Sequence, residues 1–260
     1  MIQRVKDKEV LIIIPAYNER GNIEGLLDKL CQWQIASIAD ILVMNDASTD
    51  GTNWIAKEKS VAIVTHVFNL GYGSGLQLGY KYAIRRGYKY VIQLDADGQH
   101  DVNNVLNIYQ QLTTQDENGK YPDIVLGSRF LDGSVTYKMS FVRKCAIRLF
   151  RGMIKASTGE KILDPTTGLQ GLSRRVVLYY SKYNNFDDRY PDANMITQML
   201  LLGYRVQEIP AIMHQREDGV SMHSGLKPII YMFRMFFSII AVLVRIKLLK
   251  IETGIVDDNK

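Results

Sequence analysis

The sequence predicts an α/β fold with a mostly parallel sheet covered by helices on both faces. Two observations predict it. Short apolar runs alternate with stretches whose apolar residues recur at helical spacing. Polar clusters also fall directly after those runs, where ligands bind in such sheets, beyond the carboxyl ends of the strands. The 260 residues suit one large domain, or one domain with an appendage, and are enough for a sizeable core.

The elements follow in order. Residues 10–14 are a short apolar run that ends in a proline, read as a buried strand and too short for a signal-peptide core. Ile23, Leu26, Leu27 and Leu30 share one helical face. Further strands are read at 41–44, 61–64, 91–94 and 124–126, with helices at 75–86 and 102–112. The second half holds a basic helical stretch at 138–155, a turn at 164–168, a short helix at 174–180, a helix at 193–202 and a late strand at 205–209. A long apolar element runs from 227 to about 250, and the tail from 256 is read as frayed. The expected division is a catalytic domain at 1–222, including the basic stretch, and a docking helix with its tail at 223–260.

The bulk composition excludes little. Hydrophobic residues are 47% and charged residues 23% of the chain, as in ordinary globular proteins, and a net charge of +5 names no partner by itself. Cys31 and Cys145 form neither a metal spacing nor a disulfide framework, and two free thiols point to a reducing compartment.

Four polar clusters line one rim. Asp95-Ala96-Asp97 puts two carboxylates two residues apart on extended chain. Such a pair can converge on a hard divalent cation that bridges a diphosphate, and Gln99 and His100 add donors. The plain alternative is an Asp/Gly turn. Residues 45–52 (Asn-Asp-Ala-Ser-Thr-Asp-Gly-Thr) read both as a helix cap and as something richer in carboxylates than a cap needs, with Asp46 able to accept hydrogen bonds from a nucleobase. Residues 71–75 (Gly-Tyr-Gly-Ser-Gly) are not a dinucleotide fingerprint. Its third glycine would fall at Leu76, and the loop follows the third strand, not the first.

These motifs together resemble the inverting glycosyltransferases of family 2, with the GT-A fold. They are residues 15–19 (Pro-Ala-Tyr-Asn-Glu), 45–52, 69–73 (Asn-Leu-Gly-Tyr-Gly) and 95–100 (Asp-Ala-Asp-Gly-Gln-His). Their order and spacing agree over residues 10–130. The branch resembled is that of the polyprenyl-phosphate glycosyltransferases, typified by dolichyl-phosphate mannosyltransferase, whose pattern continues in residues 127–130, Arg143 and residues 164–168.

The resemblance implies that Pro15, Tyr17, Glu19, Asp46 and Asp95 hold the nucleotide. It implies that Asp97 and Gln99, with Asp95 assisting, bind Mg2+ or Mn2+, and that Arg129, Arg143 and Arg216 face a lipid phosphate. Where the branch reads Arg-x-x-Gly-x-Ser-Lys, this chain keeps Arg216, Gly219 and Ser221 but has Met222 for the lysine, which leaves the donor sugar and base open. Asp192 is the candidate for the family's carboxylate before the late helix.

The acceptor decides what the site needs. A sugar hydroxyl wants a general base, and Asp192 would serve if it is not simply a helix cap. A phosphate monoester is already largely dianionic at neutral pH (second pKa about 6) and wants arginines, whose planar forks bind its oxygens in pairs. The expected reaction is direct displacement at the anomeric carbon, with inversion, by an undecaprenyl or dolichyl phosphate, from a nucleoside-diphosphate sugar, at the cytoplasmic face of a membrane. The alternatives are transfer to a saccharide hydroxyl in cell-envelope polysaccharide synthesis, and a non-catalytic sugar-nucleotide-binding partner of a membrane protein.

Membrane docking is expected from two elements. Lys144, Arg148, Arg151 and Lys155 share one helical face, and no acidic residue lies between 138 and 155. In the terminal element Arg234, Ser238, Ala241 and Arg245 form a thin polar stripe, and its longest uncharged stretch, 235–244, is half of what spans a bilayer (~20 residues). It therefore reads as an interfacial helix whose cations reach headgroups, docked on a membrane surface or on a small integral membrane protein. Nucleic acid is not an expected partner, because the acidic rim would repel its backbone.

Overall fold

The structure, a computed structural model, describes residues 8–137, 139–215 and 227–250. Seven strands form one sheet: β1 (Val10–Ala16), β2 (Ala39–Asn45), β3 (Ala62–Thr65), β4 (Tyr90–Gln93), β5 (Ile124–Ser128), β6 (Gln170–Ser173) and β7 (Val206–Pro210). Their order is β3-β2-β1-β4-β6-β5-β7. Only β6 runs against its neighbours; β1, β2, β3 and β4 pair parallel with one another, as β5 does with β7.

The helices of the first half are α1 (Arg20–Leu30), α2 (Trp33–Ala36), α3 (Thr52–Glu58), α4 (Tyr72–Arg86) and α5 (Asn103–Leu112). Those of the second half are α6 (Phe141–Thr158), α7 (Arg174–Tyr180), α8 (Ala193–Leu201) and α9 (Lys227–Leu243), which runs into a π-helical turn at Val244–Leu248. The parallel, doubly covered sheet is the expected fold. β6 is the strand the sequence did not announce: Gln-Gly-Leu-Ser carries one strong apolar residue and looks like loop.

Strand alternation divides the core. Leu11 and Ile13 of β1, Leu42 and Met44 of β2, and Ile124 and Leu126 of β5 face α4, α6, α7 and α8. Val10, Ile12 and Ile14, with Ile41, Val43 and Val125, face α1 and α5. Both faces are covered, so the strands read as unbroken apolar runs. Each Ile or Leu so buried contributes roughly 2 kcal/mol.

The register sets the rim. Ala16 of β1 lies opposite Asn45 of β2, and Ile13 lies opposite Gln93 of β4. The chain therefore leaves the sheet at Tyr17, Asp46 and Leu94 on one edge. Strand order reverses between β1 and β4, the switch point at which open α/β sheets bind ligands.

Candidate active site

Two of the rim loops are stapled together. Asn18, at φ +54°, donates its N–H to Ser48 Oγ at 3.0 Å and accepts from Thr49 N at 2.9 Å. Glu19 N donates to Thr52 Oγ1 at 3.0 Å, and Arg20 N donates to Asp50 Oδ2 at 2.9 Å. The N-cap of α3 is Gly51, which offers no side-chain cap; Asp50 instead accepts from Thr52 N and, across the rim, from Arg20 N. Pro15 is buried at the end of β1, while Tyr17 is 50% exposed on the rim beside it.

Asp46 is only 6% exposed. Its Oδ1 accepts from Leu70 N at 2.8 Å and lies 2.7 Å from His66 Nδ1, and its Oδ2 accepts from Gly71 N at 2.8 Å. Three of about four acceptor positions on this carboxylate are therefore taken by protein. Asp46 braces the glycine loop from beneath, a task that sequence reading did not see. The loop is close-packed: Ser74 N donates to Asp188 O at 3.0 Å, and a Cβ on Gly73 would collide with the backbone at Asp187 and Asp188.

Asp95 leaves β4 at the switch point. Tyr72 Oη donates to its Oδ1 at 2.9 Å, and His100 Nε2 lies 3.5 Å from its Oδ2. Burial acts to raise the Asp95 pKa, but the His100 contact, the Tyr72 hydroxyl and the Arg129 charge together hold it below the ordinary carboxylate value. Gly168 approaches so closely that a Cβ there would sit 2.9 Å from Oδ1. Asp97 is half-buried two residues on, its Oδ1 accepting from Gln99 N at 3.1 Å.

Among the described residues no group of three or more His, Cys, Asp or Glu side chains is arranged to hold a metal ion. Mg2+ does not require one, since it is held by one or two carboxylates plus substrate phosphates. An ionised Asp95, Asp97 and the Gln99 amide are all hard oxygen donors at one edge, and they fit such a cation.

The arginines separate. Arg129 was expected to face lipid. It is 3% exposed, and its Nε and Nη2 donate to Asp164 Oδ2 and Oδ1 at 2.7 and 2.6 Å, with Nη2 also on Thr166 Oγ1 at 2.9 Å. Removing either partner of so buried a pair is costly, because the other charge is then unpaired. Arg129 instead pins the turn that carries Gly168 against Asp95. Arg143, in the first turn of α6, is half-buried, and its Nη1 donates to Tyr137 Oη at 3.1 Å. Arg216 lies outside the described residues, as do Gly219, Ser221 and Met222.

Asp192 occupies the N-cap position of α8, but its side chain does not cap. It accepts instead from Tyr231 Oη of α9 at 2.6 Å. Its pKa rises from 3.8 to about 6, chiefly through burial, with the Asp95 charge adding; the Tyr231 bond, Arg143 and Arg129 oppose the rise. Asp95, Asp192, Arg129 and Arg143 are therefore electrostatic neighbours. Three tyrosines complete the group, and sequence reading singled out none of them. Tyr72 lay unremarked inside the glycine loop, Tyr137 stood in no motif, and Tyr231 was hidden in an apolar helix.

The two docking elements differ from expectation in orientation. Arg151 turns inward to Leu163 O and stacks over Phe130, 4.3 Å from the ring centroid, leaving Lys144, Arg148 and Lys155 exposed on α6. On α9 two members of the polar stripe, Ser238 and Arg245, turn to the domain, while Arg234 and Ala241 are exposed. Ser238 Oγ accepts from Asn194 Nδ2 at 2.8 Å, Arg245 binds Asn184 O at 3.1 Å and also Gln198, and Arg234 lies over Tyr190. Met235 and Ile239 are buried with it, while Phe233, Phe237, Ile240 and Val244 are exposed. Arg245 is half-buried against the domain, while Arg234 stays exposed beside Tyr190. Residues Ile229–Leu248 are a 20-residue segment with mean hydropathy 2.1, long and apolar enough to cross a membrane by length and composition.

Comparison with known proteins settles the family. Residues 11–179 match glycosyl transferase family 2. The chain belongs to that family. A polyprenol monophosphomannose synthase of Mycolicibacterium smegmatis is 27% identical to this family 2 chain over 226 residues, spanning 84% of this chain and 82% of that one. An undecaprenyl-phosphate mannosyltransferase of Micrococcus luteus is 27% identical over 225 residues, or 83% and 88% of the two chains. Among solved structures, glucosyl-3-phosphoglycerate synthase from Mycobacterium tuberculosis, in complex with Mn2+, UDP and glucosyl-3-phosphoglycerate, superposes with a TM-score of 0.62 at 18% identity, covering 96% of this chain and 81% of that one. At that identity the likeness establishes the shared GT-A fold. The protein is a glycosyltransferase of that fold, with an apolar C-terminal helix.

Proposed function

We propose that this glycosyltransferase moves a sugar, with inversion, from a nucleoside-diphosphate sugar to a polyprenyl phosphate at the cytoplasmic face of a membrane. The observation that carries the reading is one juxtaposition. The carboxylate of Asp95 and the guanidinium of Arg143 both act on Asp192, and Tyr137 links Arg143 to Gln99 on the same acidic edge, beside a helix whose outward face is apolar. The family membership and the two named prenyl-phosphate mannosyltransferases support the same acceptor class.

In this reading Pro15, Tyr17 and Glu19 hold the nucleotide, and Asp46 acts through the loop it braces. Asp97 and Gln99, with Asp95 beside them, would hold Mg2+ or Mn2+, and the charge supplied there offsets that of the leaving nucleoside diphosphate. Arg143 holds the acceptor phosphate, helped by the positive end of α6, at whose first turn it sits. A phosphate oxygen forms the new bond to the anomeric carbon while the bond to the donor diphosphate breaks. The acceptor is already deprotonated, so no base is required. Arg129 adds positive potential from behind, and Arg216 remains a further candidate on the acceptor side. The apolar face of α9 lies along the membrane, since its other face is committed to the domain.

The test is a donor screen with membrane lipid extract, reading which nucleoside diphosphate is released and whether the sugar enters the lipid phase. Asp97→Ala should abolish transfer with the fold kept, chelation should stop it reversibly, and Arg143→Ala should lower it at least tenfold. Full transfer by Arg143→Ala would refute the acceptor assignment.

One observation favours a second reading, transfer to a saccharide hydroxyl. Asp192 has a carboxyl that caps nothing, titrates near pH 6 and stands close to Asp95, as a general base would. Asp192→Asn separates the two: a loss of 100-fold or more in kcat supports the hydroxyl, and near-normal turnover supports the phosphate.

A further inference from the structure

Tyr137 lies between β5 and α6 on a segment with little freedom. Val135 N donates to Ala211 O at 3.1 Å, Met213 N donates to Val135 O at 2.8 Å, and Ser134 Oγ donates to Ser128 O at 2.8 Å. This short parallel bridge to the chain after β7 fixes where the tyrosine begins. From that post its hydroxyl bonds groups from two separate segments. Arg143 Nη1, from α6, donates to it at 3.1 Å. The hydroxyl donates to Gln99 Oε1, in the β4–α5 loop, at 3.4 Å. The Arg129 guanidinium, just after β5, is an electrostatic neighbour of the same hydroxyl.

A phenol has one proton and two lone pairs. The Arg143 guanidinium takes one lone pair, and the proton points at the Gln99 amide oxygen. Among the described residues, Tyr137 is the side-chain partner that the Arg143 guanidinium has. Arg143 carries about 2 kcal/mol of rotamer entropy when free. Among the described residues, the amide end of Gln99 has two long contacts, Oε1 to Tyr137 Oη at 3.4 Å and Nε2 to His214 O at 3.5 Å. An amide oxygen has two lone pairs, so Gln99 Oε1 can keep the tyrosine bond while the other pair turns to a cation.

We propose that Tyr137 is a positioning residue that holds Arg143 and Gln99 in a single geometry, tying the acceptor side of the site to its cation-binding edge. The proposal rests on the reading of those two residues given above. The hydroxyl acts through its neighbours. Without it Arg143 must be ordered anew by each acceptor, and the Gln99 amide swings.

Tyr137→Phe tests this, since it keeps the ring and removes only the hydroxyl. The KM for polyprenyl phosphate should rise about tenfold, as for loss of one hydrogen bond to a charged group, while the donor KM stays within twofold. In an Arg143→Ala background the same change should add nothing to the acceptor KM. Binding of Mn2+ alone to the full chain, followed by electron paramagnetic resonance, should weaken severalfold in Tyr137→Phe and be unaffected by the added change in a Gln99→Ala background. An unchanged acceptor KM in an active enzyme, additive effects with Arg143→Ala, or an unchanged Mn2+ affinity would each overturn the proposal. A wild-type chain that transfers nothing to polyprenyl phosphate overturns the functional reading instead, and the Mn2+ titration still decides the role of Tyr137 at the cation edge.

Discussion

At Asp192 a carboxyl is kept at a point where burial and the nearby Asp95 charge disfavour its ionised form. Its folded pKa of about 6 lies above the ordinary 3.8, so the folded protein holds this proton to higher pH than the unfolded chain does. The contribution to stability is therefore fullest below pH 4 and is lost as the pH rises through about 6; beyond that, keeping the ionised group costs about 3 kcal/mol. Asp192→Asn removes that cost while leaving an oxygen for Tyr231 to donate to. In metal-free buffer at pH 8 it should raise the midpoint of thermal unfolding by roughly 5 °C or more, and the gain should fade towards pH 4. Equal midpoints at pH 8 would show that the carboxylate is well solvated there.

At the scale of the element, α9 inverts the usual arrangement of an amphipathic surface helix. Ser238, Arg245 and Tyr231 bond inward to α8 and the loops before it, while Phe233 and Phe237 point outward. Phe233, Phe236 and Phe237, with Met232 and Leu149 of α6, also line an open apolar cleft. The two faces should separate experimentally. Phe233→Ser with Phe237→Ser should lower flotation with vesicles about 100-fold, at roughly 1.5–3 kcal/mol for each aromatic, and leave the unfolding midpoint unchanged. Ile239→Ala should do the opposite, losing 2–5 kcal/mol of stability, as a cavity in a packed seam does, with the folded fraction still floating. Point variants are better than truncation, because Tyr231 ties this helix to Asp192 and its removal would disturb the site as well.

Across the whole molecule the net charge of +5 acquires a direction. Lys144, Arg148 and Lys155 are exposed on α6, and α6 packs against α9, so cations and aromatics stand on neighbouring helices. Reversing all three charges should weaken binding to anionic vesicles at least ~100-fold, since losing each positive charge alone costs about 1 kcal/mol near the surface, with little change on neutral vesicles. Binding by the unaltered chain should fall with ionic strength as the screening length shortens. Salt-independent binding that survives the triple reversal would assign retention to α9 alone.

The parallel strands, the helices between them and the shared edge for four polar clusters were legible in the sequence. Apolar periodicity is local, and a motif such as Asp95-Ala96-Asp97 carries its chemistry in adjacent residues. Family membership was legible for the same reason. The tertiary structure alone decided which polar groups meet. Arg129 is consumed by Asp164, 35 residues away, and Asp46 by Leu70 and Gly71. Asp192 is claimed by Tyr231, and Arg143 and Gln99 share Tyr137. No periodicity reports such pairings, because a hydrogen bond between distant elements depends on strand register and helix rotation. The same holds for α9 and for Arg151: spacing shows that residues share a face, but only packing decides whether that face turns to the protein or away from it.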